Sequence, residues 1–226
     1  MSDPVLVRVR RATRPGRPGE LSRRRSAAPA SAALLDAIER IGVLAAFALF
    51  YAANAGAHRP LNLLVVATDG LTVLFILVRR PARAVSRSPA DWIIAALGTL
   101  CTLFMRPGGE SLLAPAVAGG LVAAAALLNI AAKFSLNLSF GIAPANRGVQ
   151  TGGVYAFVRH PMYLGYLILT AVFALMNPTG FNLALMAVGV AAQFERIRRE
   201  ERFLLTDPDY RRYAQQVRFR LLPGLY

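Results

Sequence analysis

The sequence is poor in the residues that cross-link small domains or build metal centres. It contains a single cysteine, Cys101, among 226 residues. One cysteine excludes a disulfide framework within the chain and excludes a metal site built from cysteine thiolates. No metal site is predicted for this chain.

Acidic residues are also scarce, with 12 aspartates and glutamates against 26 lysines and arginines and a formal net charge of +14. A basic excess of this size is typical of proteins that bind nucleic acid. It is equally typical of chains whose cationic residues face anionic lipid headgroups. The positions of the basic residues relative to the apolar segments distinguish these two classes.

Long apolar runs are what the sequence has in abundance. Hydrophobic residues make up 55% of the chain, the mean hydropathy is +0.45, and six runs are found, at 41–57, 61–78, 92–105, 112–130, 161–176 and 181–194. A membrane-spanning helix needs about 20 such residues, and the first, second and fourth runs are long enough. The run 92–105 is short enough to be a buried or re-entrant helix instead, and the last two runs need their polar ends to complete a span. The pattern predicts an all-α fold, a polytopic membrane helical bundle with about six transmembrane segments that ends in a helical hairpin.

The basic residues are distributed unevenly between the loops that these six segments define. All but Arg59 and Arg106 of the 26 fall on one side of the predicted membrane. Cytoplasmic loops carry such an excess of lysine and arginine. We therefore predict a multi-pass integral membrane protein with both termini in the cytoplasm, in contact with membrane lipids and not with nucleic acid.

The chain divides into three regions by composition. Residues 1–33 are basic and rich in proline, glycine and serine, without the apolar core of a signal peptide, and are predicted to form a disordered arm. Residues 34–130 form a four-helix membrane region, and residues 131–226 form a loop, the helical hairpin and a cytoplasmic C-terminal region. Nothing in the first half repeats the polar cluster of the second, which argues against a transporter built from duplicated halves.

Asp69 lies in the middle of the second apolar run. An ionisable group at membrane depth is a candidate for function. The alternative is a carboxyl group that fixes helix packing by pairing with Asn54 or Asn129. The sequence leaves both interpretations open.

The polar residues of the hairpin are grouped at its two ends. Arg159, His160 and Tyr163 surround a proline at the start of the first arm, and Glu200 and Glu201 follow the second. The intervening Asn-Pro-Thr-Gly sequence at 177–180 is a strong turn signal. If both arms are helices, the hairpin brings the two polar groups to the same end.

Glu201 has a defined position on the last helix. At 100° per residue it shares a face with Phe194 and with the apolar residues of the preceding turns, whereas Arg196 lies on another face. We expect this face to be buried, so that the carboxylate needs a partner. The partner is either a neighbouring arginine, Arg198 or Arg202, or the cationic group of a ligand.

These residues form a pattern that resembles a known superfamily. Arg159-His160-Pro161-Met162-Tyr163-Leu164-Gly165, an apolar hairpin and Glu200-Glu201 are similar to the Arg-His-Pro-x-Tyr-x-Gly and Glu-Glu motifs of integral membrane methyltransferases related to isoprenylcysteine carboxyl methyltransferase and phospholipid N-methyltransferases. Segments 139–149 and 209–226 resemble bacterial members, which favours the bacterial inner membrane. The resemblance covers residues 136–226. It departs at Val154, where the family often has proline, and at Ala156, where it often has a basic residue.

The resemblance implies a cytoplasm-facing site for S-adenosyl-L-methionine. His160 and Glu201 would bind the methionine part of this cofactor, and Tyr163 would line the pocket. Backbone contacts would come from the turn formed by Gly153, Val154 and Tyr155.

The acceptor of the methyl group would be a lipophilic small molecule or a lipid-linked substrate, and carboxyl O-methylation is favoured. A carboxylate acceptor is ionised at neutral pH and needs only orientation, for which Arg159 or Arg147 is available. An amine acceptor needs a proton acceptor, for which Glu200 is the candidate.

Two other functions remain open at this point. Membrane sterol reductases, which use NADPH, have an Arg-His-x-Asn-Tyr-x-Gly-Asp pattern in a similar place. This chain differs at Pro161-Met162, at Tyr166 and in its downstream Glu-Glu, and all three differences favour the methyltransferase. A membrane protein without catalytic activity is the third hypothesis.

Overall fold

The computed structural model describes residues 30–79, 84–86, 88–136, 145–146, 149–224 and 226. The predicted arm thus lies outside the described residues up to position 29. Within the described ranges the chain is helical apart from one pair of two-residue strands. The elements in chain order are α1 (Ala30–Ala55), α2 (Pro60–Val78), β1 (Ala84–Val85), α3 (Pro89–Leu103), α4 (Pro115–Ser135), β2 (Ala145–Asn146), a 3-10 helix (Gly153–Ala156), α5 (Pro161–Met176), α6 (Gly180–Leu204) and α7 (Pro208–Gln216).

Proline sets the start of most of these helices. It occupies the first position of α2, α3, α4, α5 and α7. Its missing N–H is one that the first turn leaves unpaired in any case, and its fixed φ suits a helix. Helix α6 begins differently, because the side chain of Thr179 accepts a hydrogen bond from the backbone N–H of Asn182 at 3.1 Å.

The helices pack as antiparallel neighbours around the α5–α6 hairpin. Helix α3 packs chiefly along α6, α4 along α5, and α1 along α2. The main core lies between α1, α2, α4 and α5, where the rings of Phe50 and Phe173 are fully buried with centroids 5.5 Å apart. Large apolar side chains on the outer faces, such as Ile41 and Leu127, are each 67% exposed. An apolar exterior of this kind suits a hydrocarbon environment.

Two of the described helices, α2 and α4, are long and apolar enough to cross a membrane. Helices α3 and α5 are apolar but shorter. The all-helical architecture and the C-terminal hairpin are therefore as predicted, and the six-span topology stays a prediction.

At one end of the bundle, here called the far end, a network of buried asparagines joins the hairpin turn to α1 and α2. Asn177 Nδ2 donates to Asn62 Oδ1 at 3.1 Å, and Asn62 Nδ2 donates to Asn54 Oδ1 at 3.3 Å. Arg59 Nη1 donates to Asn177 Oδ1 at 2.8 Å. Asn54 is thus engaged here and not with Asp69, so this one of the two open alternatives for an Asp69 partner does not hold. Asn129 does not pair with Asp69 either, since neither polar atom of its side chain has a partner among the described residues.

The opposite end, here called the site end, gathers the connecting segments of the second half. Strands β1 and β2 pair antiparallel, with Ala84 opposite Asn146, and tie the α2–α3 connection to the α4–α5 connection. Residues 137–144 and 147–148 of the long connection from 133 to 159, which we predict to cover a cofactor, lie outside the described residues. Arg147 is among these residues.

Candidate functional site

The hairpin brings its two polar groups together at the site end. His160 is the residue before α5, and Pro161 is the first residue of that helix. The apolar part of α6 ends at Phe194, but the helix continues to Leu204. The two glutamates therefore sit beside the start of α5, as the sequence predicted.

The carboxylate of Glu201 is the centre of this site and is only 4% exposed. Arg159 binds it through the Nε–Nη2 edge of its guanidinium, with Nε 2.7 Å from Oε1 and Nη2 2.8 Å from Oε2. His160 Nε2 lies 3.0 Å from Oε1. Two neighbouring motif residues thus converge on one carboxylate that follows them by about forty positions in the chain.

The C-terminal region supplies two further donors to the same carboxylate. The Tyr210 hydroxyl donates to Oε1 at 3.0 Å, and Arg220 Nε donates to Oε2 at 3.3 Å. A carboxylate offers about four lone-pair positions. All of the hydrogen-bonding capacity of Glu201 is therefore used within the chain. We call this arrangement of Arg159, His160, Glu201, Tyr210 and Arg220 the Glu201 hub.

The hub keeps its carboxylate ionised. Burial by itself raises the pKa of Glu201, but the hydrogen bonds and charges of His160 and Arg159 outweigh it and hold the pKa well below the usual range. A carboxyl group whose pKa is lowered on folding stabilises the fold above its ordinary pKa, and this stabilisation is lost as the pH falls. At neutral pH the hub is anionic at its centre and cationic at its rim.

Two predictions about α6 are wrong. The partners of Glu201 are not Arg198 or Arg202, and the side chain of Arg198 is 58% exposed and lies 3.7 Å from Glu195. Arg196, which we expected on another face from the buried one, is itself buried with 3% exposure.

The physical reason is that several apolar residues of α6 are exposed while polar residues of the same helix are buried. Its apolar residues Phe181, Leu183 and Val188 are 37–52% exposed, whereas its polar residues Asn182 and Gln193 are buried. Ionisable and polar side chains at membrane depth face the interior of a bundle. Leu183, at the start of the stripe that we assigned to the protein core, is 37% exposed, whereas Glu201 at its end is buried as predicted.

Arg159 also fastens the C-terminal segment to the start of α5. Its Nη1 donates to the carbonyl oxygens of Val217 at 2.7 Å and Arg218 at 3.0 Å. The backbone N–H groups of Arg159 and His160 donate to the carbonyls of Phe219 at 3.0 Å and Arg220 at 2.7 Å. The tail therefore forms one wall of the site.

Tyr163 and Glu200 form a second polar group next to the hub. The Tyr163 hydroxyl donates to Glu200 Oε2. The guanidinium of Arg196 lies over the Tyr163 ring, 4.9 Å from its centroid, and the His160 ring meets it edge-on at 5.3 Å. All the motif residues predicted for the site are therefore in contact with one another, directly or through one neighbour.

The turn at Gly153 is positioned by close backbone packing. Gly153 has φ +61°, and a Cβ at this position would collide with Oγ of Ser135 at the end of α4. Only glycine fits such a position. The following Tyr155 is buried, and its carbonyl accepts a hydrogen bond from the Tyr213 hydroxyl at 2.7 Å.

Tyr213 connects this turn to the hub. Burial raises the pKa of Tyr213 to about 12, so its hydroxyl remains a donor at neutral pH. Its ring packs against the ring of Tyr210 with centroids 5.6 Å apart, and Tyr210 donates to Glu201. Gly153, Val154 and Tyr155 thus belong to the same polar assembly as the motif residues.

The sequence did not single out Tyr210 or Arg220. The tail contains four arginines, at 211, 212, 218 and 220, and nothing in their spacing distinguishes the one that reaches Glu201. No group of histidine, cysteine or carboxylate residues in the described part of the chain could hold a metal ion.

Comparison with known proteins gives one family. Residues 112–206 match the family model described as the isoprenylcysteine carboxyl methyltransferase family. No curated protein matches the chain. The matched segment contains α4, α5, α6 and the residues of both motifs. It confirms the resemblance seen in the sequence and supports a membrane methyltransferase in general: through residues 112–206, the chain is similar to the isoprenylcysteine carboxyl methyltransferase family of integral membrane proteins.

Proposed function

We propose that the protein is an integral membrane methyltransferase that uses S-adenosyl-L-methionine and acts on a lipophilic or lipid-linked acceptor, with carboxyl O-methylation favoured. The observation that carries this proposal is the Glu201 hub. It unites the two motifs of the matched family segment in one buried, ionised cluster at the site end. The bacterial inner membrane and the cytoplasmic location of this end are part of the proposal.

The donor set of the site fits this cofactor. S-adenosyl-L-methionine carries an α-carboxylate, an α-amino group and a sulfonium, and when bound it supplies an electrophilic methyl group without a metal. The site offers arginines for the carboxylate and glutamates for the cationic groups. The chemistry required and the residues present therefore agree.

Arg220 is the hub residue that is most easily exchanged for a ligand. Its contact with Glu201 is the longest of the five, and its side chain is 37% exposed, against 7% for Arg159. We propose that the α-amino group takes the place of Arg220 at Glu201 Oε2. The released Arg220 then faces the α-carboxylate.

The other site residues act as supports in this proposal. His160 fixes Oε1 of Glu201, Tyr163 lines the pocket, and the backbone of Gly153, Val154 and Tyr155 contacts the cofactor. Arg159 donates through Nε, Nη1 and Nη2 within the chain, so we propose that it positions the hub and the tail, and that it orients the acceptor through them.

With a carboxylate acceptor, the reaction requires no proton transfer by the protein. In methyl transfer to a carboxylate, the acceptor oxygen forms a C–O bond to the methyl carbon as the C–S bond breaks, and the electron pair returns to sulfur. No proton is released. The work of the site is to hold the three atoms in line and to exclude water.

Calorimetric titration of the detergent-purified full chain with S-adenosyl-L-methionine, and in parallel with NADPH, tests the proposal. We expect saturable binding of S-adenosyl-L-methionine and no heat from NADPH. Binding of NADPH alone would favour the reductase, and binding of neither would favour the protein without catalytic activity.

Replacement of Glu200 by glutamine distinguishes the acceptor classes. Because a carboxylate acceptor needs no base, we expect Glu200→Gln to change the rate of methyl transfer by less than about threefold. An amine acceptor would lose roughly 100-fold or more, as expected when a general base is removed. The measurement is transfer of tritiated methyl groups into a lipid extract of the host membrane.

Glu195→Gln is the matched control for this variant. Glu195 is on the same helix, and its ion pairs among the described residues are with Arg198 and Arg199 at the partly exposed surface. A large loss in Glu200→Gln with normal cofactor binding would contradict a carboxylate acceptor.

A further inference from the structure

A cavity with a mainly apolar lining and a few polar side chains lies inside the bundle between α1, α2, α3, α5 and α6. It encloses about 570 Å³ of space, including the part that opens outward, and about 50 Å³ of this can hold the centre of a water molecule. A single water needs about 10–15 Å³ by this measure. The cavity therefore holds a few waters or a small polar group, but not a long hydrocarbon chain.

Two hydrogen-bond acceptors in the lining have no donor among the described residues. Gln193 is 3% exposed, and its Nε2 donates to the carbonyl of Gly98 at 2.9 Å, whereas its Oε1 has no partner. Oδ2 of Asp69 likewise has none. Buried polar groups are normally paired. The cavity thus presents two acceptors for a donor that a ligand can bring.

The guanidinium of Arg196 lies at the end of the cavity nearest to the Glu201 hub. Arg196 lines the cavity, and its Nη1 donates to Thr99 Oγ1 at 3.3 Å. Its guanidinium covers the ring of Tyr163, whose hydroxyl binds Glu200. The cavity therefore reaches from the middle of α2 to the edge of the proposed reaction site.

We propose that this cavity binds the polar part of the methyl acceptor. Arg196 receives its anionic group, and Gln193 and Asp69 select acceptors that carry a hydrogen-bond donor nearby, such as a hydroxyl. The inference rests on the proposed function and narrows its substrate class to lipophilic hydroxy acids. A plain hydrocarbon acid would leave both acceptors unpaired.

The spacing of Gln193 and Arg196 on α6 determines how far the hydroxyl of the ligand lies from its carboxylate. Gln193 and Arg196 are three residues apart, which is about 4.5 Å along the helix and nearly the same face. The hydroxyl must therefore lie within a few bonds of the carboxylate. A β-hydroxy fatty acid satisfies this condition.

Palmitic acid and β-hydroxypalmitic acid are a suitable pair of probes. Their binding to the purified full chain is measured by calorimetry in the presence of S-adenosylhomocysteine, so that no transfer occurs. We expect the hydroxy acid to bind the wild-type protein at least about tenfold more tightly, because sites built to bond a hydroxyl discriminate against ligands without one.

Two variants test whether the cavity causes this preference for the hydroxy acid, and a third variant is their control. Gln193→Leu and Thr72→Val remove polar groups from the lining and are expected to reduce the affinity ratio below about threefold. Thr68→Val is the matched control. Thr68 and Thr72 both donate to the carbonyl four residues earlier on α2, but only Thr72 lines the cavity.

Equal affinity for the two acids, binding of neither, or an equal loss of preference in Thr68→Val would overturn the inference. Failure of the inference is separable from failure of the proposed function. S-adenosyl-L-methionine binding is measured on the same preparations, and Asp69→Asn is expected to leave it unchanged. Intact cofactor binding without the preference overturns the substrate class alone, whereas absent cofactor binding in the wild type overturns the methyltransferase.

Discussion

Glu201→Gln is expected to lower the affinity for S-adenosyl-L-methionine at least about 100-fold and to destabilise the folded protein by roughly 3–5 kcal/mol, the cost of leaving a buried charge without its partner. The substitution keeps the shape of the side chain but removes the charge that holds Arg159. It also replaces one acceptor oxygen by an amide that cannot accept from a guanidinium. Calorimetry and thermal unfolding in detergent measure the two effects.

Glu195→Gln makes the same chemical change on the same helix and serves as the control. Partly exposed ion pairs contribute about 0–1 kcal/mol, so its unfolding and cofactor binding should match those of the wild type. The pH dependence provides a second check. The stability difference between wild type and Glu201→Gln should be full above the ordinary carboxyl pKa and shrink progressively as the pH falls below it, because the pKa of Glu201 is lowered on folding. If Glu201→Gln bound S-adenosyl-L-methionine with wild-type affinity, Glu201 would not be part of the cofactor site.

Arg159→Lys is expected to have the second largest effect despite its conserved charge. The guanidinium of Arg159 bonds both oxygens of Glu201 and the carbonyls of Val217 and Arg218. A lysine ammonium is a single point charge with three donors and cannot reproduce this fork. We expect a loss of at least about tenfold in cofactor affinity and release of the C-terminal segment from the start of α5.

Limited proteolysis reports that release directly. Cleavage within residues 208–224 should become faster in Arg159→Lys and stay unchanged in Arg212→Lys. Arg212 is the control because its pair with Asp209 has exposed side chains, at 75% and 67%. Equal cleavage of both variants and the wild type would show that Arg159 does not hold the tail.

The sequence predicts which motif residues come together where local signals carry the information. The turn at 177–180 and the two polar ends of the hairpin are local features, and they are enough to place His160 beside Glu201. The orientation predicted for the first turns of α6 was wrong, because their apolar face was assumed to be buried, whereas the predicted burial of Glu201 is confirmed. In hydrocarbon the apolar face of Leu183 can be outside, and the polar face of Gln193 and Arg196 needs the interior.

Tyr210 and Arg220 could not be predicted from the sequence for a different reason. They reach Glu201 only because α7 and the tail fold back over the start of α5. Such a contact depends on the path of the backbone and leaves no periodic or compositional signal at either residue. The cavity at Asp69 and Gln193 is likewise assembled from five helices, so no single stretch of sequence reveals it.

The Glu201 hub also has a consequence for the order in which the protein is made. Synthesis delivers Arg159 42 residues before Glu201, and Arg220 19 residues after it. The first arm of the hairpin therefore leaves the ribosome with its arginine still lacking its counter-charge, and the site can close only when the tail has been made. The complete hub can therefore form only in a chain that has been made as far as Arg220.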